Sequence, residues 1–166
     1  MKSDFLKYES EKFDYVAGNI PYQISSPVIE KLRTMNFGKA VIMVQDEFAK
    51  RLCAKQGSQD YSRLSVMTSL YFNCKIDRKV SRKNFHPIPK VDSAIVTMEP
   101  IPWDYGIKFE LVEELAKKLF SQRRKKISTV LKNNELEYGN KRVEELTPNE
   151  FIRLCYSLYP DYRHPC

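Results

Sequence analysis

The 166-residue sequence predicts an α/β fold followed by a small all-helical part. Apolar runs of strand length alternate with segments of helical spacing as far as residue 98, a pattern typical of a mostly parallel sheet with helices on its faces. After a proline-bearing connector, no strand pattern returns. Hydrophobic residues make up 42% of the chain and aromatic residues 12%, which indicates a packed core and excludes a disordered protein.

Four strands are predicted in the first part. Phe13 to Ile20 is expected to form a short buried strand that Pro21 ends. Lys39 to Gln45 is a continuous apolar run, typical of a strand covered on both faces. The segments Cys74 to Val80 and Ser93 to Met98 supply the other two strands.

Helices are predicted between these strands. Ser26 is expected to cap the first, with Pro27 in its first position and apolar residues following at helical spacing. Asp46 to Leu52 is predicted to form a second short helix. A third is marked by residues at helical spacing, namely Leu64, Met67, Thr68 and Tyr71.

The helical part is predicted to hold three further helices. Leu111 to Leu119 indicates the first, and Ile127 to Leu131 a second that is expected to carry a basic stretch. Thr147 to Glu150 reads as a capping box with proline at the first helical position, which opens the third. The predicted domains are residues 1–99 and 108–166, joined by a linker at 100–107.

The basic residues are segregated along the chain, which has a net charge of +7. One stretch from residue 117 to 132 holds no acid, and a second basic group lies between residues 75 and 90. They comprise Lys117, Lys118, Arg123, Arg124, Lys125, Lys126 and Lys132, and Lys75, Arg78, Lys79, Arg82, Lys83 and Lys90. Segregated charge favours a polyanionic partner. Charge alone leaves open a merely solvated helix face.

Neither a membrane span nor a metal site is expected. The longest aliphatic run, Ala40 to Val44, is too short to cross a bilayer, and the first residues lack the apolar core of a signal peptide. We therefore expect a soluble, cytoplasmic protein, nucleolar if the source is eukaryotic. The cysteines and histidines stand at Cys53, Cys74, Cys155, Cys166, His86 and His164. Their spacing is not that of a zinc site and favours reduced thiols.

The stretch GNIPYQISSP, residues 18–27, follows the first predicted strand and combines an amide, a proline and an aromatic ring. The Asn19 side-chain oxygen and the Pro21 carbonyl are two acceptors that can converge on an exocyclic amine, and Tyr22 offers a face for base stacking. Two such acceptors would aim the lone pair of an aromatic amine at an electrophile, which needs positioning rather than a strong base. Spacing alone leaves open a rigid turn ahead of a capped helix.

Five motifs stand in order along the chain. They are NIPYQISSP at 19–27, QDEFAKRL at 45–52, DYSRLSV at 60–66, NFHPIPKVDS at 84–93 and FSQRRKK at 120–126. Together, from Asp4 to about Leu158, the chain resembles the rRNA adenine N6,N6-dimethyltransferases. The resemblance implies the C-terminal half of a Rossmann-like class I methyltransferase sheet followed by a helical rRNA-binding domain. It also implies methyl transfer from S-adenosylmethionine to adenosine N6 near the 3′ end of small-subunit rRNA, with the pre-ribosomal small subunit as partner.

The resemblance implies roles at the matching positions. Asn19 and the Pro21 carbonyl would hold the amine of the target adenine, while Tyr22 and Phe85 would cover the two faces of the flipped-out base. Asp4 and Asn19 would contact S-adenosylmethionine. The family usually has glycine where this chain has Ser3, which leaves the role of Asp4 open. The alternative interpretation of Phe85 is a core residue that closes its loop.

The same resemblance implies that basic residues grip rRNA phosphates. The residues concerned are Lys90, Arg123, Arg124, Lys125 and Lys126. For Lys90 a solvated side chain is the alternative.

The family's glycine-rich cofactor loop has no counterpart in this sequence, because none of its five glycines form a G-x-G pair. The strand that ends at Asn19 would then present an unpaired apolar edge. We expect a fragment of a longer enzyme. Two alternatives remain: an inactive rRNA-binding or ribosome-assembly module, and a large-subunit rRNA methyltransferase of the drug-resistance branch.

Overall fold

A computed structural model describes residues 4–8 and 12–162 and divides the chain into two compact units. The first, the sheet unit, comprises Met1–Cys53 and Tyr71–Pro102. The second, the helical unit, comprises Ala54–Leu70 and Trp103–Cys166. The chain therefore leaves the sheet unit after Cys53 and returns to it at Tyr71.

The sheet has four strands in the order β1-β2-β4-β3. The strands are Phe13–Asn19 (β1), Phe37–Gln45 (β2), Phe72–Val80 (β3) and Ser93–Pro100 (β4). The α/β class is confirmed, and the sheet is mixed: β1, β2 and β3 run in one direction, as a mostly parallel sheet requires, and β4 runs against them. Among hydrogen-bonded neighbours only β1 and β2 are a parallel pair, because β4 is antiparallel to both of its neighbours, β2 and β3. The physical reason is that β3 and β4 are joined by residues 81–92 without the crossover helix that a parallel pair needs.

The core of the sheet unit lies on its two central strands. Ile42 and Val44 of β2, and Val96 and Met98 of β4, are almost fully buried. β1 is not the buried strand that the sequence predicted: it lies at one edge, alternates between half-buried and exposed residues, and leaves Tyr15 75% exposed. Within the described residues β1 pairs only with β2, as expected for a strand at an unpaired edge.

Helices occupy the predicted segments in both units. They are Ser25–Arg33 (α1), Asp46–Leu52 (α2), Arg63–Tyr71 (α3), Phe109–Ser121 (α4), Ile127–Leu131 (α5) and Pro148–Leu158 (α6). In the described part of the chain, no helix is both long and apolar enough to cross a bilayer.

The two predicted helix caps have different outcomes. The capping box is confirmed, because Thr147 Oγ1 accepts a hydrogen bond from the Glu150 amide and the Glu150 carboxylate accepts one from the Thr147 amide. Ser26 does not cap α1. A 3₁₀ turn, Tyr22–Ile24, runs directly into α1, so that Ile24 occupies the capping position without a side-chain bond.

The basic stretch at 123–126 is not carried by α5, contrary to the prediction. These residues form the turn between α4 and α5, and α5 begins only at Ile127. The apolar positions with helical spacing begin at the buried Ile127. Residues 123–126 are all basic, so they add no apolar position that would extend this helix toward the N-terminus.

Residues 54–70 pack with the helical unit rather than with the predicted domain 1–99. Tyr61 is 1% exposed and donates a hydrogen bond of 2.8 Å to the Leu146 carbonyl. The Gly57 amide donates to the Glu144 carbonyl at 2.8 Å. Burial raises the pKa of the Tyr61 hydroxyl, as expected for a phenol enclosed in a core. These contacts join positions more than 80 residues apart, which is why the local pattern assigned the segment to the first domain.

Gly38 allows β1 and β2 to approach closely. A Cβ atom at this position would lie 2.8 Å from the Asp14 carbonyl oxygen, a contact that only a backbone shift could relieve. Gly38→Ala is expected to lower the free energy of unfolding by about 1–3 kcal/mol. Urea denaturation of the chain measures this loss.

Gly18→Ala is the matched control in the same strand pair. Its Cβ would meet only the end of the Ile20 side chain, at 3.2 Å, and a side-chain tip can move at small cost. Equal losses in the two variants would show that the β1–β2 contact at Gly38 is not specific.

Candidate functional site

An open cavity of about 290 Å³ lies in the sheet unit where β1 ends. The chain segment after β1 forms one side, and the loop between β3 and β4 forms the other. The lining residues are Asn19, Ile20, Pro21, Tyr22, Phe85, His86, Pro87 and Pro89. This aromatic cavity therefore brings together Asn19, Pro21, Tyr22 and Phe85, which lie up to 66 positions apart in the sequence.

Strand pairing holds the two acceptor groups in place. Asn19 pairs with Met43 in the last register position of β1 and β2, and the Ile20 amide donates to the Met43 carbonyl at 3.0 Å. The Pro21 carbonyl accepts the Ile24 amide at 3.0 Å, which leaves its second lone pair available. The Asn19 side chain is exposed and has no hydrogen-bond partner among the described residues. Both groups can therefore accept hydrogen bonds from a bound molecule.

Tyr22 is anchored by a residue to which the sequence analysis assigned no role. Its hydroxyl lies 2.9 Å from Ser93 Oγ, and Ser93 is 1% exposed. Ser93 is the first residue of β4 and pairs with Gln45. Its only signal in the sequence was its place at the end of the NFHPIPKVDS motif, because a contact across 71 positions leaves no local pattern.

Phe85 lies on a loop whose two ends are tied together. The Arg82 amide donates to Asp92 Oδ1 at 3.0 Å, and the Arg82 guanidinium donates to the Lys90 carbonyl at 2.9 Å. Lys79 pairs with Asp92 at 3.3 Å and with Asp46 at 3.4 Å, which links the loop to the first residue of α2. The half-buried Phe85 is thus presented by a closed loop.

A second cavity of about 420 Å³ also adjoins this loop and is lined mainly by charged groups. Its lining residues are Gln45, Asp46, Glu47, Arg82, Lys90, Val91 and Asp92. Pro89 lines the aromatic cavity and the next residue, Lys90, lines this charged cavity. Lys90 is exposed, and its ammonium group has no partner among the described residues.

Electrostatics favour the ionised form of Asp46 and Asp92 in the charged cavity. The hydrogen bond from Lys50, together with Lys79, holds the pKa of Asp46 below its usual value. The amide of Arg82 does the same for the pKa of Asp92. The two carboxylates in turn raise the pKa of Lys79. The paired charges therefore organise the loop, while Lys90 stays available for another anion.

In the helical unit, the predicted RNA-binding residues differ in how they are engaged. Arg123 pairs with Glu144 at 2.6 Å and donates to the Gln59 carbonyl at 3.2 Å. Lys126 lies 3.4 Å from Asn140 Oδ1. Arg124 and Lys125 are exposed, line a depression of about 400 Å³, and have no side-chain partner among the described residues. Arg123 therefore has a structural task, and the role of these four residues toward RNA stays a prediction.

Asp4 is not among the residues that line the aromatic cavity. Its Oδ1 accepts the Leu6 amide at 3.1 Å and caps the 3₁₀ turn Phe5–Lys7. Ser3, the departure from the family pattern, lies outside the described residues. For metals, no group of three or more His, Cys, Asp or Glu side chains in the ranges 4–8 and 12–162 is placed to hold an ion.

Residues 1–155 match the protein family described as ribosomal RNA adenine dimethylase. The probable ribosomal RNA small subunit methyltransferase A of Pyrococcus furiosus is 46% identical, over 90% of this chain and 61% of the relative. The protein of the same name from Methanosarcina acetivorans is 36% identical, over 94% of this chain and 64% of the relative. The chain thus spans about three fifths of the length of these relatives.

Two solved structures are similar in fold. A dimethyladenosine transferase from Plasmodium falciparum matches 98% of this chain and 72% of its own, with a TM-score of 0.87 and 30% identity. The 23S rRNA methyltransferase ErmE matches 94% of this chain and 70% of its own, with a TM-score of 0.67 and 26% identity. The Rossmann-like methyltransferase fold that the sequence predicted is confirmed by these likenesses.

Asp46 is expected to stabilise the fold in a pH-dependent way, because it starts α2 and pairs with Lys50 and Lys79. Its folded pKa lies below the ordinary value of 3.8, so its contribution is complete above that value and is lost as the pH falls through the folded pKa. Asp46→Asn should lower the free energy of unfolding by about 0.5–1 kcal/mol at neutral pH. Urea denaturation at a series of pH values should show this deficit shrinking below about pH 4.

Asp14→Asn serves as the control, because Asp14 is exposed and has no ion-pair partner among the described residues. It should match the parent chain at every pH. A deficit in Asp46→Asn that persists undiminished near pH 2 would contradict the electrostatic explanation.

Proposed function

The chain belongs to the ribosomal RNA adenine dimethylase family, and on that premise we propose that it binds and dimethylates adenosines at N6 near the 3′ end of small-subunit rRNA. The observation that carries the proposal is the convergence of two acceptors and two aromatic side chains on one cavity. The names of the relatives, small subunit methyltransferase A and dimethyladenosine transferase, support the same assignment.

The aromatic cavity would receive the target adenine as a flipped-out base. Tyr22 would stack on one face, held at its hydroxyl by Ser93, and Phe85 would cover the other face from its closed loop. Base–aromatic stacking contributes about 1–3 kcal/mol per base. This compensates part of the energy of a few kcal/mol that unstacking a nucleotide requires.

Asn19 and Pro21 would orient the amine for attack. The lone pair of an aromatic amine is delocalised into the ring, which makes the nitrogen a poor nucleophile. Acceptance of its two hydrogens by the Asn19 side-chain oxygen and the Pro21 carbonyl favours a tetrahedral nitrogen with its lone pair free. The contribution of the protein is therefore positioning and electrostatic stabilisation, and the proton that is lost passes to solvent through the open cavity.

S-adenosylmethionine, the general methyl donor of methyltransferases, would supply an electrophilic methyl group to this nitrogen. Of the residues in this chain, Asp4 and Asn19 would hold it. The observation that fits this role is chemical: Asp4 uses only Oδ1 to cap its turn, so its second carboxylate oxygen can accept from an adenine or ribose group. The glycine-rich loop that normally approaches a nucleotide cofactor is not present in this sequence.

Basic side chains of both units would hold the RNA backbone. Lys90 carries an unpartnered ammonium group at the charged cavity, one residue from the wall of the aromatic cavity. Arg124 and Lys125 would bind further phosphates in the helical unit, since neither has a side-chain partner among the described residues. Within the cell, the pre-ribosomal small subunit would present the rRNA.

One assay separates the proposed activity from the two alternatives. The chain is incubated with labelled S-adenosylmethionine and with each of the two ribosomal subunits' RNA, and the modified nucleosides are identified by mass spectrometry. Dimethyladenosine in small-subunit rRNA supports the proposal. Binding of rRNA without methyl transfer would identify a binding or assembly module, and modification of large-subunit rRNA would assign the chain to the branch that ErmE represents.

Asn19→Ala should weaken binding of an adenosine-containing RNA by about 2- to 10-fold, the effect of one lost hydrogen bond. The same RNA with purine riboside at the target position has no exocyclic amine, and its affinity should be unchanged by the substitution. Fluorescence anisotropy with the two RNAs measures both affinities.

Asn36→Ala is the matched control, an exposed asparagine that does not line the aromatic cavity. It should leave both affinities unchanged. If Asn19→Ala weakened both RNAs equally, the side chain would not be reading the amine.

RNA binding should weaken steeply with salt, because phosphate contacts release counterions. Replacing Arg124 and Lys125 by alanine should reduce the slope of log affinity against log salt by about 1.4, from about 0.7 per contact on single-stranded RNA. Titrations between low and moderate salt measure the slope for both proteins.

Lys12→Ala, an exposed cation outside both basic stretches, is the control for net charge and should leave the slope unchanged. An unchanged slope in the Arg124 and Lys125 double variant would remove these residues from the RNA-binding surface.

A further inference from the structure

The charged cavity contains three polar side chains that the fold does not use. Gln45 is half-buried, Glu47 and Lys90 are exposed, and all three line this cavity of about 420 Å³. None of the three makes a side-chain hydrogen bond or an ion pair among the described residues. One amide, one carboxylate and one ammonium group are therefore free to bind a molecule in the cavity.

The other charged residues of the lining are engaged by the fold. Asp46 and Asp92 both pair with Lys79, at 3.4 and 3.3 Å, and the Asp46 amide donates to the Asp92 carbonyl at 3.0 Å. Arg82 binds Asp92 through its amide and the Lys90 carbonyl through its guanidinium. The walls are thus held without a ligand, and cations offset the charges of Asp46 and Asp92.

The charged cavity adjoins the aromatic cavity at two points. Pro89 lines the aromatic cavity and Lys90 lines the charged one, and consecutive Cα atoms are about 3.8 Å apart. Gln45 pairs with Ser93 across β2 and β4, and Ser93 Oγ lies 2.9 Å from the Tyr22 hydroxyl. A strand whose target base enters the aromatic cavity therefore brings a neighbouring nucleotide to the charged cavity.

The lining of the charged cavity also includes an exposed apolar side chain. Val91 is 42% exposed and stands next to Lys90 in the sequence. An apolar contact surface beside a few hydrogen-bonding groups is the composition of a site for a small planar molecule, and the volume is within the usual range for such sites. A nucleobase has both the apolar face and the polar edge that this lining would contact.

We propose, on the premise of the proposed function, that the charged cavity binds a guanine next to the target adenosine. Lys90 contacts the phosphate between the two nucleotides, and Val91 contacts a face of the guanine. Glu47 accepts hydrogen bonds from its Watson–Crick edge, and Gln45 donates one to guanine O6.

The donors of the four bases identify guanine. Its Watson–Crick edge carries two adjacent donor groups, N1–H and the N2 amine, which match the two oxygens of the Glu47 carboxylate. Adenine, cytosine and uracil each present a single donor group at that edge. A carboxylate has no donor of its own, so it cannot satisfy the acceptors that the other three bases place there.

Fluorescence anisotropy with three short RNAs tests the proposal on the full chain. Each RNA holds one adenosine in a uridine strand, and both neighbours of the adenosine are guanosine, inosine or uridine. The guanosine-flanked RNA should bind about 10-fold more tightly than the uridine-flanked RNA, the effect of hydrogen bonds to a charged group. Inosine lacks the N2 amine and should give an intermediate affinity. Equal affinities for guanosine and uridine would overturn the proposal.

Glu47→Gln tests which group reads the base. The ratio of the affinities for the guanosine- and uridine-flanked RNAs should fall from about 10-fold to about 2-fold or less, because one acceptor is replaced by a donor. Glu110→Gln is the matched control, since Glu110 is exposed in α4, does not line the charged cavity and has no ion-pair partner among the described residues. It should keep the full ratio. A full ratio in Glu47→Gln would overturn the assignment.

Lys90→Ala tests the phosphate contact separately. It should weaken the guanosine- and uridine-flanked RNAs by the same factor, because a phosphate contact carries no base information. It should also reduce the slope of log affinity against log salt by about 0.7. A change in the ratio of the two affinities would overturn the assignment of Lys90 to the phosphate.

Failure of this guanine site and failure of the proposed function give different results. If the guanine preference is absent while Asn19→Ala still weakens binding of the adenosine-containing RNA, the guanine site alone is refuted. A preference that depends on Glu47 in a chain that transfers no methyl group would support the guanine site and refute only the catalytic part of the proposed function.

Discussion

The position of β2 between a parallel and an antiparallel neighbour is the constraint on which the site depends. Parallel pairing with β1 brings Asn19 to the level of Met43, and antiparallel pairing with β4 brings Ser93 to the level of Gln45. The last residue of one neighbour and the first residue of the other therefore meet at the same end of β2. Since a slip of one residue would turn every side chain to the opposite face, this double pairing also determines which groups face the cavity.

Most of the charged residues around the loop between β3 and β4 hold that loop in place. Lys79, Asp46, Asp92 and Arg82 bind one another or nearby backbone, and they hold the loop that carries Phe85 against the start of α2. These pairs are exposed or partly exposed, and each contributes little to stability by itself. Together they limit the positions that Phe85 can take, which is what an aromatic cover for a base requires. Lys90, on the same loop, remains available for a phosphate.

Much of the fold could be predicted because strand and helix periodicity are local properties. α2 and the capping box at Thr147 were correct, since each depends on residues within one or two turns. Ser26 was wrong as a cap because the 3₁₀ turn before α1 competes with the capped start. The antiparallel direction of β4 was not predicted, because pairing depends on the connection as well as on the strand. The assignment of residues 54–70 to the first part was wrong, because Tyr61 of this segment binds the carbonyl of Leu146, which lies 85 positions away in the sequence.

By itself the sequence determined which segments form strands and helices, the charge segregation, and the motif that offers two acceptors and a ring after β1. Those features rest on residue types within about ten positions of one another. Only the tertiary structure decided that Phe85 shares a cavity with Asn19, that Ser93 anchors Tyr22, and that Arg123 is paired with Glu144. Each of these contacts joins positions that are distant in the sequence, and none of them leaves a periodic pattern in the chain.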